Sequence, residues 1–239
     1  MEYQDLKILF EDNHLIAINK PAGVLVQGDE TGDKPLSDYV KEYIKARYNK
    51  PGDVFLGTIH RLDRPVSGVV LFARTSKALE RMNGLFATRE VEKTYWALVN
   101  TRPEPFTDTL VHYLVKDHEH NVTRAYNNAQ NANNSKIGTT PKRAELDYDL
   151  IAEIGSHFML EVKPTTGRSH QIRAQLSKVG YPIRGDLKYG NPTAFDDASI
   201  ALHARCIRFT HPVSKEILTI TASAPKLPLW QEFQRTQED

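Results

Sequence analysis

Short runs of β-branched and aliphatic residues recur along this chain and seldom alternate strictly with helical patterns. Such runs, when turn-forming residues bound them, are typical of β-strands. They lie at residues 6–10, 15–19, 69–73, 94–99, 145–150, 158–163, 205–209 and 217–221. Because strands outnumber helices and are not each followed by one, the pattern predicts an α+β fold. We expect a mixed, mostly antiparallel central sheet flanked by helices.

Three segments have the apolar spacing of amphipathic helices. They are residues 36–48, a stretch from a capping Ser76 to about residue 88, and residues 169–179. Residues 116–143 differ from these, since they contain six Asn and little apolar periodicity, and we expect a long polar surface excursion there. Pro225 and Pro228 predict the end of the ordered chain, before an acidic tail.

The length of 239 residues and the ordinary composition predict a single catalytic domain over residues 1–239. No apolar run is long enough to span a membrane, and the first residues do not have the pattern of a secretory signal. The single cysteine excludes an internal disulfide framework and a cysteine-based zinc finger. We therefore expect a cytoplasmic protein, with a monomer as the default state.

The distribution of charge is more informative than the formal net charge of +1. Residues 57–98 carry seven basic and four acidic side chains, and residues 161–190 carry six basic and two acidic ones. Two basic segments in an otherwise acidic chain indicate a local field that attracts an anionic ligand. The alternative is that these lysines and arginines are ordinary solvated side chains.

The first of these segments contains the sequence HRLDRPVSG at residues 60–68, directly before a predicted buried strand. Asp63 lies between Arg61 and Arg64, and nearby guanidinium groups favour the ionised carboxylate. An ionised carboxylate at the edge of a sheet is a competent nucleophile or base. The alternative is a structural Arg–Asp pair that stabilises a turn. Phosphate-binding loops, dinucleotide loops and a glycine-flanked nucleophilic serine are missing from the sequence.

The second segment contains TGRSHQIR at residues 166–173, where Gly167 suits a turn from a strand into a helix that begins at Ser169. On that helix His170, Arg173 and Ser177 share one face. A helix start with Arg and His presents donors to a phosphate or a carboxylate. An exposed polar face without function is the alternative.

Taken together, these segments resemble the motifs of the RluA-type RNA pseudouridine synthases. The matching stretches are NKPAG at 19–23, HRLDRPVSG at 60–68, KTY at 93–95, TGRSHQIR at 166–173, PIRGDLKYG at 182–190, LHA at 202–204 and HP at 211–212. They follow the family's order and span about residues 6–225. The resemblance implies one catalytic domain with a mixed, mostly antiparallel sheet. It also implies isomerisation of uridine to pseudouridine in structured ribosomal or transfer RNA, without cofactor or metal.

By the same resemblance, Asp63 matches the catalytic aspartate, Tyr95 the tyrosine that packs on the target base, and Arg173 the basic partner of that aspartate. Arg61 matches an arginine that helps to hold the RNA. Val66 stands where the family usually has Thr, and Gln175 where many members have His. The S4-like RNA-binding domain of some members is not expected here.

The remaining candidates are substrate-binding residues. We expect phosphate contacts from Arg61, Arg64, Lys77, Arg168 and Lys188, with His170 beside them at the helix start. The target base must be flipped out of its stack to be reached. Asp63 then acts either at C1′ of the ribose or on the uracil ring, and the sequence does not distinguish these routes. A catalytically silent RNA-binding or assembly factor, and a hydrolase that uses Asp63 alone, are the alternative functions.

Overall fold

The computed structural model describes residues 1–135, 137 and 139–238. In chain order its elements are β1 (Ile8–Glu11), β2 (Leu15–Lys20), α1 (Leu36–Arg47), β3 (Gly57–Thr58), β4 (Ser67–Ala73), α2 (Ser76–Ala87), β5 (Glu92–Val99), β6 (Thr107–Asp117), β7 (Val122–Tyr126), α3 (Ala129–Asn133), β8 (Lys142–Ile154), β9 (His157–Pro164), α4 (Gln171–Lys178), β10 (Leu202–Thr210), β11 (Ile217–Thr221) and α5 (Pro228–Glu238). The strand pairings with a described register are antiparallel. The predicted α+β fold with a mostly antiparallel sheet is confirmed.

The chain divides into two compact units. The first consists of Met1–Glu92 and Ala204–Lys226. Its strands lie in the order β1-β2-β4-β10, with β3 paired to β4 and β11 paired to β10. The second consists of Lys93–His203 and the residues from Leu227 onward, and its strands lie in the order β5-β9-β8-β6-β7. The single catalytic domain over residues 1–239 stays a prediction.

The core of the first unit is built on β2 and β4, which are buried almost throughout. Alternate side chains of the two strands, including Leu15 and Leu71, pack in one cluster with Met82 of α2. Since successive side chains of a strand point to opposite faces, this cluster uses one face of the two strands. Helix α2 begins one residue earlier than predicted, because the Thr75 hydroxyl, not that of Ser76, accepts the Ala78 N–H at 3.2 Å.

Residues 116–143 contain more regular structure than the predicted polar excursion. They include the end of β6, all of β7, the short helix α3 and the start of β8. Val122 and Ala125 of β7 pack on a cluster that contains Leu114 and Tyr189, which explains why this strand forms. The Asn128 side chain accepts the Asn131 N–H at 2.8 Å and caps α3. Asparagine is therefore used here for a helix cap as well as for loops.

The C-terminal segment forms α5 instead of ending the ordered chain at Pro225 and Pro228. Proline is tolerated in the first turn of a helix, where its missing N–H has no intrahelical partner. Trp230 and Phe233 of α5 are buried, and the Trp230 ring lies 6.0 Å from that of His203. No described helix combines the length and apolar character that a membrane crossing requires.

Gly68 provides a test of the close packing at the start of β4. Its φ of +116° and a Cβ position only 2.2 Å from the Ala204 carbonyl oxygen leave no room for a side chain. We expect Gly68→Ala to lower the free energy of unfolding by about 3 kcal/mol or more. In the control Gly84→Ala, at an open position of α2, the same methyl group should raise it by about 0.5–1 kcal/mol. Urea unfolding of both variants measures this, and equal effects would contradict the packing argument.

Candidate active site

The turn between β3 and β4 carries Asp63. Leu62 and Val66 on either side are buried, whereas Asp63 is half-buried and Arg64 is exposed. The Val66 N–H donates to the Asp63 carbonyl oxygen at 3.0 Å and closes the turn. Two apolar anchors thus hold a carboxylate at the accessible end of a rigid loop. Val66, where the resembling family usually has Thr, occupies a buried position that suits its apolar side chain.

A buried lysine connects this turn to the loop after β2. The Lys20 Nζ donates to the carbonyl oxygens of Pro21 at 3.0 Å, Val24 at 2.8 Å and Arg64 at 3.1 Å. An ammonium group has three N–H donors, so these three acceptors match it. Lys20 is fully buried, and its contacts fasten residues 20–24 to the turn that contains Asp63.

Lys20 interacts electrostatically with Asp63 and Arg64 of this turn. Burial lowers the pKa of Lys20 to about 7, the Asp63 carboxylate acts to raise it, and Arg64 acts to lower it further. Lys20 is therefore a functional candidate to which the sequence analysis assigned no role. The sequence feature that could have indicated its importance is its place at the end of an apolar strand, within the NKPAG stretch.

Arg64 lies at the surface of this turn. Its Nε donates to the Gly23 carbonyl oxygen at 2.9 Å, and the Gly23 N–H donates to the Arg64 carbonyl oxygen at 2.8 Å. An exposed ion pair joins Arg64 to Asp33 at 2.7 Å. Arg61 in the same turn and Lys77 in the first turn of α2 are also exposed. These three basic side chains are exposed, and their contacts with phosphate stay a prediction.

His60, the first residue of the HRLDRPVSG motif, makes contacts that stabilise the fold. Its Nε2 accepts the Leu71 N–H at 3.1 Å, and its ring stacks on Phe86 with 5.3 Å between centroids. These contacts link the start of the turn to β4 and α2. His60 therefore supports the turn from the side of the core.

In the second unit, Tyr95 lies on β5 opposite Val162 of β9 and is half-buried. Two residues before it, burial lowers the pKa of Lys93. The Lys93 Nζ lies 3.8 Å from the position that a Cβ on Gly167 would occupy, so β5 approaches the loop before α4.

Gln171 shapes that loop. Its Oε1 accepts the Thr166 hydroxyl at 2.8 Å and the Arg168 N–H at 3.0 Å, while its Nε2 donates to the Glu145 carbonyl oxygen at 3.0 Å. Helix α4 begins at Gln171 and not at the predicted Ser169, because His170 before it adopts a left-handed conformation with φ of 51°. Arg168 is exposed and His170 half-buried on this loop.

Arg173 is buried in α4, so the alternative of an ordinary exposed polar face is wrong at this position. Its Nε donates to Asp186 Oδ2 at 2.7 Å, and its Nη2 donates to Asp186 Oδ1 at 2.9 Å. The guanidinium carbon lies 4.8 Å from the centroid of the Tyr189 ring. Asp186 and Tyr189 lie in the PIRGDLKYG motif, but neither residue was predicted to have a role.

The remaining predicted residue, Lys188, is exposed, and its Nζ donates to the Asn121 carbonyl oxygen at 3.3 Å. The predicted site residues thus form two groups. Arg61, Asp63, Arg64 and Lys77 belong to the first unit, and Tyr95, Arg168, His170, Arg173 and Lys188 belong to the second. Across residues 1–135, 137 and 139–238, no three His, Cys, Asp or Glu side chains are grouped closely enough to hold a metal ion. That the protein needs no metal or cofactor stays a prediction.

The lowered pKa of Lys20 predicts a pH-dependent stability. Between about pH 7 and the usual lysine pKa the unfolded chain binds more protons, so the free energy of unfolding rises with pH. As the pH rises through this range, the free energy of unfolding of wild type should therefore increase relative to that of Lys20→Met. The increase should be up to about 1.4 kcal/mol per pH unit. Urea unfolding across this range measures the difference, with Lys45→Met at an exposed position of α1 as the control. A constant difference for Lys20→Met would contradict the prediction.

Residues 14–178 match the family model described as RNA pseudouridylate synthase. The chain is 30% identical over 241 residues to tRNA pseudouridine synthase C of Vibrio parahaemolyticus, covering 96% of this chain and 94% of that protein. It is 32% identical over 228 residues to ribosomal large subunit pseudouridine synthase C of Vibrio vulnificus, covering 92% of this chain and 66% of that protein.

The fold also matches solved structures. Human RNA pseudouridylate synthase domain containing 4 superposes with a TM-score of 0.75 at 24% identity, covering 95% of this chain and 92% of that one. This likeness supports the fold alone, whereas the family model and the bacterial relatives identify the family. The resemblance of the sequence motifs is thereby confirmed, and the chain belongs to the RNA pseudouridine synthases, isomerases that act on RNA.

Proposed function

We propose that this protein converts specific uridines of transfer or ribosomal RNA to pseudouridine, with Asp63 as the catalytic carboxylate. The observation that carries the proposal is the turn at residues 60–68. It presents a half-buried Asp63 between buried Leu62 and Val66, and the Lys20 Nζ donates to the Arg64 carbonyl oxygen of the same turn at 3.1 Å. An ionised carboxylate in a rigid loop is suited to attack carbon or to remove a proton.

The reaction breaks the bond between C1′ of the ribose and N1 of uracil, turns the base, and joins C1′ to C5. The C5 proton is lost to solvent and N1 gains a proton, so no net oxidation occurs and no water is consumed. A cofactor is therefore not required. Asp63 acts at C1′ or on the uracil ring, and both routes release the C5 proton.

Tyr95 and Arg173 complete the proposed catalytic set. An accessible aromatic ring can stack on a flipped base, which is worth about 1–3 kcal/mol per base. Tyr95, a half-buried residue of β5, is the aromatic side chain proposed for this stacking. The guanidinium of Arg173 supplies the positive charge that keeps a catalytic carboxylate ionised and oriented. Its pair with Asp186 uses two of the five N–H donors that a guanidinium carries.

The substrate class rests on the relatives. Two relatives named tRNA pseudouridine synthase C, from Vibrio parahaemolyticus and Vibrio cholerae, align along 94% and 93% of their own length. A third, from Pectobacterium carotovorum, aligns along 58%, and the ribosomal relative from Vibrio vulnificus aligns along 66%. Transfer RNA is therefore the first substrate to test and ribosomal RNA the second. The exposed Arg61, Arg64 and Arg168 provide the cationic surface that a phosphate backbone needs.

The catalytic prediction concerns Asp63→Asn. We expect wild type to release tritium from RNA labelled at uracil C5, and the variant to be slower on the order of 10³-fold. The RNA chain should stay intact. Asp53→Asn, at an exposed position of the same unit, is the matched control and should keep full activity. Free uracil as the product would indicate a hydrolase. Binding of RNA without tritium release, from both transfer and ribosomal RNA of a strain lacking the gene, would indicate a silent binding factor.

The phosphate-contact prediction concerns Arg64→Ala and Arg168→Ala. Each variant should weaken RNA binding and reduce the slope of log K against log salt by about 0.7–0.9, because one phosphate contact is lost. Lys41→Ala removes an exposed cation of α1 that pairs with Asp38 at 3.6 Å, and it should leave the slope unchanged. Filter binding at several salt concentrations measures the slopes. If all three variants behaved alike, only the overall charge of the protein would matter.

A further inference from the structure

We propose that Asp186 is a positioning residue that fixes the guanidinium of Arg173 in the orientation needed for catalysis. The inference rests on the proposed function, since it assumes that Arg173 acts in the isomerisation. Asp186 does not itself need to touch RNA. Its role is to hold the edge of the guanidinium that carries Nε and Nη2, so that the rest of the group has one orientation.

The pair has the geometry of a fork. Nε and Nη2 of Arg173 face the two carboxylate oxygens of Asp186 at 2.7 and 2.9 Å. Bidentate contacts of this kind fix the plane of the guanidinium as well as its distance. The side chains are 6% and 1% exposed, so water does not compete for either partner. A lysine at position 173 could not be held in this way, because its ammonium is a point charge on a flexible chain.

The face of the Arg173 guanidinium also has a partner, the ring of Tyr189. The Tyr189 ring lies 4.8 Å from the guanidinium carbon, within the range of a cation–π contact. The Tyr189 hydroxyl accepts the Thr123 N–H at 2.8 Å and lies 2.8 Å from Nδ1 of His170. The ring is therefore fixed between β7 and the start of α4, and it limits rotation of the Arg173 side chain.

The loop that carries Asp186 is itself rigid. The Asp186 carbonyl oxygen accepts the N–H groups of Tyr189 at 3.1 Å and Asn191 at 3.0 Å. Gly185 has a φ of +83°, and a Cβ there would come within 2.8 Å of the Ser199 carbonyl oxygen. This close approach requires glycine and holds the backbone next to Asp186. The carboxylate is thus presented to Arg173 from a fixed support.

Other buried polar groups of α4 have a different role, which makes a comparison possible. Gln175 is fully buried, and its Nε2 donates to the Leu110 carbonyl oxygen at 3.0 Å. Its contacts reach β6 and the His112 side chain, not the Arg173 pair. Gln175 is therefore a matched control for the general effect of changing a buried polar group on this helix.

The experiment compares Asp186→Asn with Gln175→Met by tritium release at saturating RNA. Asparagine keeps the shape of the side chain but turns one acceptor into a donor that faces a guanidinium N–H. We expect kcat to fall by about 10- to 100-fold with KM for RNA changed less than about twofold, because small misplacements of a catalytic group cost this much. Gln175→Met should lower the melting temperature but keep kcat within about twofold. An unchanged kcat in folded Asp186→Asn overturns the proposal.

A double-mutant cycle tests whether Asp186 acts through Arg173. Arg173→Lys already removes the fork, so adding Asp186→Asn to it should lower kcat by less than about threefold. If the two effects multiply instead, Asp186 acts independently and the proposal is wrong. Should Asp186→Asn fail to fold, Asp186→Glu takes its place. This variant keeps the charge but moves the carboxylate by one methylene, and kcat should still fall, whereas wild-type kcat would overturn the proposal.

An NMR measurement separates this proposal from the proposed function. The Arg173 Nε–H should exchange slowly with water in wild type and quickly in Asp186→Asn, whether or not any RNA is modified. Equal exchange in the two proteins overturns the positioning role. Slow exchange in a wild type that releases no tritium from any RNA would refute the proposed function, while leaving the hold of Asp186 on Arg173 supported.

Discussion

The ammonium group of Lys20 is the interaction on which the first unit's candidate site depends. It takes three carbonyl acceptors from two separate loops and brings the backbone of the turn at residues 63–66 against residues 20–24. A buried ammonium is costly unless its donors are satisfied. The three contacts therefore require both loops to keep their present conformation. The half-buried Asp63 has a defined position because the backbone of Arg64, the next residue, is held in this way.

The second unit also contains a buried cation, the guanidinium of Arg173. Arg173 is buried with Asp186, and the pair is supported by the ring of Tyr189. In both units a buried cation is held by several hydrogen bonds: Lys20 by three carbonyl oxygens and Arg173 by both carboxylate oxygens of Asp186. By contrast, the basic residues proposed to contact phosphate are exposed, and Arg64 pairs with an exposed Asp33 and a backbone oxygen. Exposed charges act on an anionic ligand within about a Debye length, whereas a buried, hydrogen-bonded charge fixes local geometry.

Sequence patterns predicted the parts of the fold in which local preference and burial agree. The apolar runs at β2 and β4 were predicted as strands, because a continuous run of β-branched and aliphatic residues suits a strand buried on both faces. The prediction was less accurate in mostly polar segments, where a few apolar residues form the tertiary contacts. β7 forms because Val122 and Ala125 find an apolar surface to cover, and α5 because Trp230 and Phe233 do. Neither surface is visible in the local sequence.

The candidate site likewise has features that the sequence predicted and features that only the folded structure shows. Residue types and their order along the chain were enough to single out Asp63, Tyr95 and Arg173 and to indicate the family. The sequence could not reveal that Arg173 forms a buried fork with Asp186, 13 residues further along the chain, or that Lys20 serves a turn 44 residues away. Such partners are chosen by packing. Burial removes water from a charged group, and whichever acceptors the folded chain brings within reach must replace it. The sequence alone thus determined the chemical groups and the family, while the tertiary structure decided which charges are buried, what holds them, and therefore in which direction they point.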